Sequence, residues 1–386
     1  MSAFSYQAAS IPLRLASAGM IVALPVLAVD RLDDVALGGA LTGAALFPSV
    51  IAAPLVGTVL DRVRHPRRLL VASALVTAVS FTLAAFLGEV PTPLIAALLV
   101  AAGLATPVYM GGMSSFVTSA IRDPRRAYAQ DSLSYTVASI GGPSIVGLAI
   151  AVGGARAAML AMAVLAFVGV FGSLGLAMEA RPAPTVGVLR TIVAGVRHLA
   201  THRPLAVVTS AGTLSQVAAG AAGVAAIGLS VERLGSTDAA AWILTASAVG
   251  GLLGAILVTA RRGRRRPSWV MGASYVATGA ALLVAVPDLG IVVAVVAFAV
   301  AGVFTAPSNA AMLFLRDQES PAQVRSQVFT IGAGLRSAAA AVGAVLAGAV
   351  AGIGASWLVA GIAVVWIGSG LLLRAFPRTA EEGRLA

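Results

Sequence analysis

The 386-residue sequence has no cysteine and no lysine, only three histidines, and few charged or aromatic residues, 11% and 5% respectively. Without cysteine there are no disulfides, thiolate nucleophiles or thiolate metal sites. The three histidines are read as offering no metal set, so no metal or other cofactor is expected. Without lysine no phosphate-binding G-x-x-x-x-G-K-[ST] loop can exist, so the chain does not drive itself with ATP. No recurring Ser, His and acid constellation is present, which argues against an enzyme. Scarce charge also argues against a water-soluble fold, since soluble domains carry about a quarter charged residues.

What is abundant is apolar surface. Hydrophobic residues make up 59% of the chain, and its mean hydropathy is +0.96. A chain of this length cannot hide so much apolar surface in a water-soluble core, so its solvent is a lipid bilayer. A crossing needs roughly 20 apolar residues as helix. Twelve such runs are expected, near 11–30, 36–60, 69–88, 93–118, 128–151, 156–178, 205–230, 239–260, 268–286, 290–314, 327–351 and 354–376. The fold class is therefore all-α and integral to the membrane. The abundance of Gly and Ala suits close helix contacts, and barrel strands would be shorter and alternating.

The net charge of +11 comes entirely from arginine, in short clusters between apolar runs. That pattern serves topology and lipid headgroups rather than nucleic acid. With both ends inside, 21 arginines fall on the inner side and three, Arg31, Arg156 and Arg233, on the outer. Both termini are thus expected in the cytoplasm of a bacterial cell, with the protein in its inner (plasma) membrane. The first run resembles a signal peptide at VLA, 26–28, but lacks a basic cluster before it and is read as a retained helix.

The longest connection, EARPAPTVGVLRTIVAGVRHLATHRP at 179–204, contains an amphipathic stretch suited to the inner membrane face. It separates six runs from six: 1–178 is one expected half, 179–204 the linker, 205–376 the second half and 377–386 a cytoplasmic tail. A weak repeat with a shift near 200 relates the halves. Gly57 with Arg67 and Arg68 matches Gly254 with Arg264–Arg266, and Pro107 matches Pro307. Two parallel halves with a site between them is a transporter arrangement.

GTVLDRVRHPRRLL, 57–70, concentrates charge between the second and third runs. It resembles the G-x-L-x-D-R-x-G-R-R loop of the major facilitator superfamily through Gly57, Asp61, Arg62, Arg67 and Arg68. Val59 replaces the usual Leu, Arg64 stands where a second Gly is usual, and His65-Pro66 is inserted. The resemblance implies two pseudo-symmetric six-helix halves and secondary transport by alternating access. It places Asp61 against the N-terminal end of the eleventh helix, after Pro321. Arg62 or Arg68 is expected to pair with Asp123 or Asp131, making an inner gate. The second-half copy has Val258 where Asp61 would fall.

Gly142, Pro143 and Gly147 resemble a shortened form of the kink motif in the family's exporters; the alternative is a packing kink. Charges inside spans are functional candidates by default. Arg336 either meets an anionic substrate group or an acid, or snorkels; Asp131 either binds a proton or pairs with an arginine; Arg14 is expected to snorkel. By resemblance, Ser17, Met20, Tyr109, Met110, Met113, Gln216, Phe304 and Asn309 line the substrate cavity, each with helix packing as the alternative. The expected function is export of a small, largely hydrophobic compound by a monomer in the lipid bilayer. The alternatives are an importer of a small anionic metabolite, or a non-transporting sensor or scaffold. A proton is the candidate coupling ion, although the fourth span lacks the embedded arginine of many proton-coupled exporters.

Overall fold

The structure, a computed structural model, describes residues 3–176, 178, 188–235, 238–260 and 266–377. Most of the second arginine cluster, the start of the linker and nearly all of the tail lie outside the described residues. The described residues form helices α1 (Ala3–Leu32), α2 (Val35–Leu60), α3 (Pro66–Ala84), α4 (Thr92–Pro107), α5 (Val117–Ala120), α6 (Pro124–Leu174) and α7 (Val188–Thr201). They continue with α8 (Arg203–Leu234), α9 (Asp238–Ala260), α10 (Pro267–Leu283), α11 (Ile291–Val303), α12 (Thr305–Gln318), α13 (Arg325–Ala349) and α14 (Ala355–Leu372).

Among the described residues, ten helical stretches are long and apolar enough to cross a membrane. One of them is a pair. Helix α6 runs for 51 residues, which at 1.5 Å each is about 76 Å, far more than one crossing needs. Its backbone leaves the helical region at Gly154, with φ 77° and ψ −176°. The two arms on either side both pack on α1. A Cβ at Gly142, on the first arm, would lie 2.7 Å from Gly19 N, and one at Gly172, on the second, would collide with the Ala8 carbonyl. At Pro143 the backbone stays helical. Helix α10, of 17 residues, takes the place of the run expected at 268–286.

The fourth and tenth runs are interrupted at matching places. After Pro107, α4 passes into a π-helical turn, Val108–Gly112, where Met110 has φ −83° and ψ −105°. In the tenth run α11 ends at Val303, and α12 restarts at Thr305, two residues before Pro307. Proline lacks the N–H that would continue the ladder, and such breaks in apolar helices persist where neighbours re-satisfy the backbone.

The chain forms two compact units. One contains residues 1–195 together with 321–334, the other 196–320 with 335–386. In the first, α1 lies between the arms of α6, over a core including Leu24, Leu27, Phe81, Leu99, Met159 and Met162. In the second, α9 packs on α11 through small residues: Gly250 and Gly254 meet the backbone of Ala299 and Val303, and Gly302 meets Ser247. Close backbone approach substitutes for the hydrophobic drive that helices lack inside a lipid phase.

Candidate functional site

In the first unit the loop motif meets the segment contributed from 321–334. Asp61 is the C-terminal cap of α2 and only 1% exposed. A carboxylate at the negative end of its own helix is unfavourable. Its Oδ1 accepts instead from Ser326 N, at 3.4 Å, in the first turn of α13, whose unsatisfied N–H groups attract negative charge. Around this bond the Ser115 and Ser326 hydroxyls are 2.9 Å apart, Gln327 donates from Nε2 to Thr58 Oγ1, and Tyr128 stacks on Phe329. Gly57 permits this approach, since a Cβ there would lie 2.5 Å from Thr330 Oγ1 and 2.6 Å from Gln327 Cα. Gly111, in the π-turn, does the same against the Phe329 carbonyl.

The remaining motif residues separate. Arg67 donates to the Leu174 carbonyl at 3.2 Å, satisfying a C-terminal orphan of α6 with a favourable charge. Arg64 and Arg68 are exposed. Asp123 caps α6, accepting from Arg125 N at 3.0 Å and Arg126 N at 3.4 Å.

Asp131 pairs with neither Arg62 nor Arg68. It faces Arg14, and that overturns two expectations together. Arg14 does not snorkel: it and Asp131 are both 0% exposed, with Nη1 2.7 Å from Oδ1. Tyr6 donates to the same Oδ1 at 2.5 Å. Arg14 also reaches Ser134, donates to Ser114 Oγ at 2.9 Å, and lies over the Tyr135 ring at 3.7 Å. Its Nη2 bonds the carbonyl of Met110 at 3.4 Å, in the broken stretch of the fourth run. The reason is helical register. Tyr6, Ser10 and Arg14 recur every four residues on one face of α1, and Asp131, Ser134 and Tyr135 share a face of α6. That periodicity was the available signal. In a pair this dry, the attraction between the partners offsets the cost of burying each.

Of the cavity candidates in the first unit, Ser17 and Tyr109 meet at 3.1 Å between hydroxyls. The Tyr109 hydroxyl also meets Thr106 at 3.0 Å and Thr77 at 3.5 Å. Ser17, Met20, Tyr109 and Met113 are all buried, while Met110 is half-buried. Gly142 is pressed on α1, and a Cβ at Gly147 would meet nothing.

In the second unit Arg336 and Asn309 come together: Nη1 donates to Oδ1 at 2.8 Å. Gln216 and Phe304 are half-buried. Tyr275 is buried on α10, within electrostatic range of Arg336 and Arg316. Trp366 lies against its ring, 5.2 Å between centroids. His198, on α7, and His202, the residue between α7 and α8, stand four residues apart, a His-x-x-x-His spacing that the sequence reading missed when it counted no such pair. Their rings stack at 4.8 Å; His202 Nε2 is 3.0 Å from Glu319 Oε2, and His198 Nε2 is 3.3 Å from the Glu319 carbonyl.

Apolar helices in two units, small-residue packing, interrupted helices in both units and a buried carboxylate at a helix start define a polytopic α-helical transporter of the two-unit kind. Residues 8–220, more than half of the chain, match the family model of the Major Facilitator Superfamily, and the chain belongs to that family. It is similar to the uncharacterized MFS-type transporter y4rN of Sinorhizobium fredii (strain NBRC 101917 / NGR234), 27% identical over 357 residues, 89% of this chain and 87% of that protein. Its fold is similar to the crystal structure of the E. coli fucose:proton symporter FucP, with TM-score 0.77 and 15% identity over 97% of this chain and 98% of that one. It is also similar to the human organic anion transporter MFSD10, with TM-score 0.74 and 16% identity over 95% and 98%. The protein is thus a multi-pass membrane transporter for small molecules and not an enzyme.

Proposed function

We propose that the chain exports a small, largely hydrophobic compound across a bacterial inner membrane by alternating access. In this reading it works as a monomer with twelve crossings, both termini cytoplasmic, and the proton as coupling ion. The halves 1–178 and 205–376 move about the linker 179–204. The observation that carries the reading is the join between Asp61 and the first turn of α13. The join uses a carboxylate, an amide and hydroxyls, whose bonds water can replace one for one, so it opens at low net cost. A static scaffold has no use for a join of that kind. The fold leaves direction open; Gly142 and Pro143, with the apolar surroundings of Met20 and Met113, favour export. Uptake of a small anion is the second reading, favoured by Arg336 beside Asn309.

The test is accumulation of a panel of lipophilic dyes and antibiotics in cells expressing the wild type, Asp61→Asn, or neither. Lower accumulation in the wild type alone is expected, with the variant inserted in the membrane in equal amount. Undiminished export by Asp61→Asn would overturn the role given to the join.

A further inference from the structure

Arg336 stands eleven residues beyond the start of α13, about 16 Å along the axis and so near the middle of a hydrocarbon layer about 30 Å thick. A guanidinium inside the hydrocarbon is costly unless a counter-charge meets it. In the first unit that problem is solved within the chain, because Arg14 has Asp131. In the second unit it is not. Among the described residues, Arg336 has no carboxylate at ion-pair distance; its hydrogen-bond partner is the neutral Asn309. Its Nε is buried without a hydrogen bond.

The geometry also leaves one edge of the fork without a hydrogen-bond partner among the described residues. Asn309 takes Nη1 and fixes the guanidinium plane, so the Nε–Nη2 edge remains. That edge matches the two oxygens of a carboxylate in a bidentate pair. A monoanion cancels the charge, whereas a dianion would leave an excess negative charge in an apolar surrounding. Tyr275, the group on which Arg336 acts electrostatically, is a phenol with Trp366 against its ring rather than an acid. Arg316, the other cation acting on Tyr275, has contacts of its own.

We propose that the second unit contains an anion site in which Arg336, oriented by Asn309, binds the carboxylate of a small, mostly apolar monocarboxylic acid. The proposal deepens the transport reading and rests on it for the identity of that acid as cargo. It reconciles an apolar substrate with an arginine at mid-membrane, since the cargo itself brings the missing counter-charge.

The experiment uses the purified full chain in detergent and two probes with one ring system, 1-naphthoate and 1-naphthamide. Naphthoate is expected to raise the unfolding temperature and naphthamide not to. Arg336→Gln is expected to abolish the response and Arg336→Lys to weaken it about tenfold, since an ammonium cannot form the bidentate pair. Asn309→Asp supplies Arg336 with a carboxylate inside the chain. It is expected to fold at least as stably as the wild type and to lose the naphthoate response. An equal response to the amide, a response that survives Asn309→Asp, or none up to about 10 mM, far weaker than usual ligand affinities, would each overturn the site. Binding is read without transport, so failure here leaves the accumulation result untouched. Naphthoate binding by a protein that lowers no compound's accumulation would instead sink the export reading and leave the site.

Discussion

At Asp131 a carboxylate is held by an arginine, a tyrosine hydroxyl and burial from water, and removing one partner leaves the other charged and alone. Asp131→Asn and Arg14→Gln are each expected to destabilise the protein by about 3–5 kcal/mol, read as loss of monodisperse protein and a lower unfolding temperature in detergent. The paired change Arg14→Met with Asp131→Leu removes both charges and should recover most of the loss; no recovery would show that the pair's bonds, not its charges, carry the stability. Gly57 poses a steric question instead. A methyl there would lie 2.5 Å from Thr330 Oγ1 and 2.6 Å from Gln327 Cα, with backbone as the second obstacle. Gly57→Ala is expected to insert normally yet lose more than nine-tenths of export, on the order of the tenfold that about 1.4 kcal/mol produces, measured in the accumulation assay. Asp61 was legible from its motif, and its contact with the first turn of α13 is where the resemblance pointed. The Arg14–Asp131 pair was not: each residue looks like an end-of-span charge when its own run is read alone, and only the shared face of α1 and α6 joins them.

Element boundaries were legible where apolar runs end in charge or proline. The expected run 36–60 is α2 at Val35–Leu60, and 239–260 is α9 at Asp238–Ala260. Breaks inside a run were not legible, because apolar composition continues through them. The π-helical turn after Pro107 and the gap between α11 and α12 are both invisible to hydropathy. The turn within α6 depends on a single residue, Gly154, whose φ of 77° suits glycine. A Cβ there would meet nothing within 4 Å, so Gly154→Ala tests backbone strain alone. It is expected to cost about 1–3 kcal/mol, and Gly154→Asn about as much, since φ 77° with ψ −176° lies outside the left-handed helical region that Asn tolerates and is essentially confined to glycine. A markedly smaller cost for Asn would point to something other than this backbone strain. Helix α7 is held differently, by two stacked imidazoles on Glu319. Replacing His198 and His202 together by Ala should speed amide exchange over 188–201 without changing exchange in α8.

At the scale of the whole molecule, chain order and spatial grouping disagree at one place. Residues 321–334 come late in the chain yet group with residues 1–195, through polar bonds to α2 and to the segment after α4. Sequence could mark this region through Pro321 and the family loop, but not the bonds of its Ser326 and Gln327 to Ser115 and Thr58, because hydroxyls and amides carry no periodic signal of their own. If transport requires this segment to leave and return, fixing it should stop transport. The chain offers a clean way to do so, since it contains no cysteine. The Ser115 and Ser326 oxygens lie 2.9 Å apart, and a disulfide needs its sulfurs about 2.05 Å apart. Ser115→Cys with Ser326→Cys therefore substitutes two near-isosteric side chains that already point at one another. Oxidation is expected to arrest export and reductant to restore it, with either single substitution indifferent to both treatments. Export at the full rate by the crosslinked protein would mean that the segment stays docked throughout the cycle, and that the polar character of the join has a purpose other than opening.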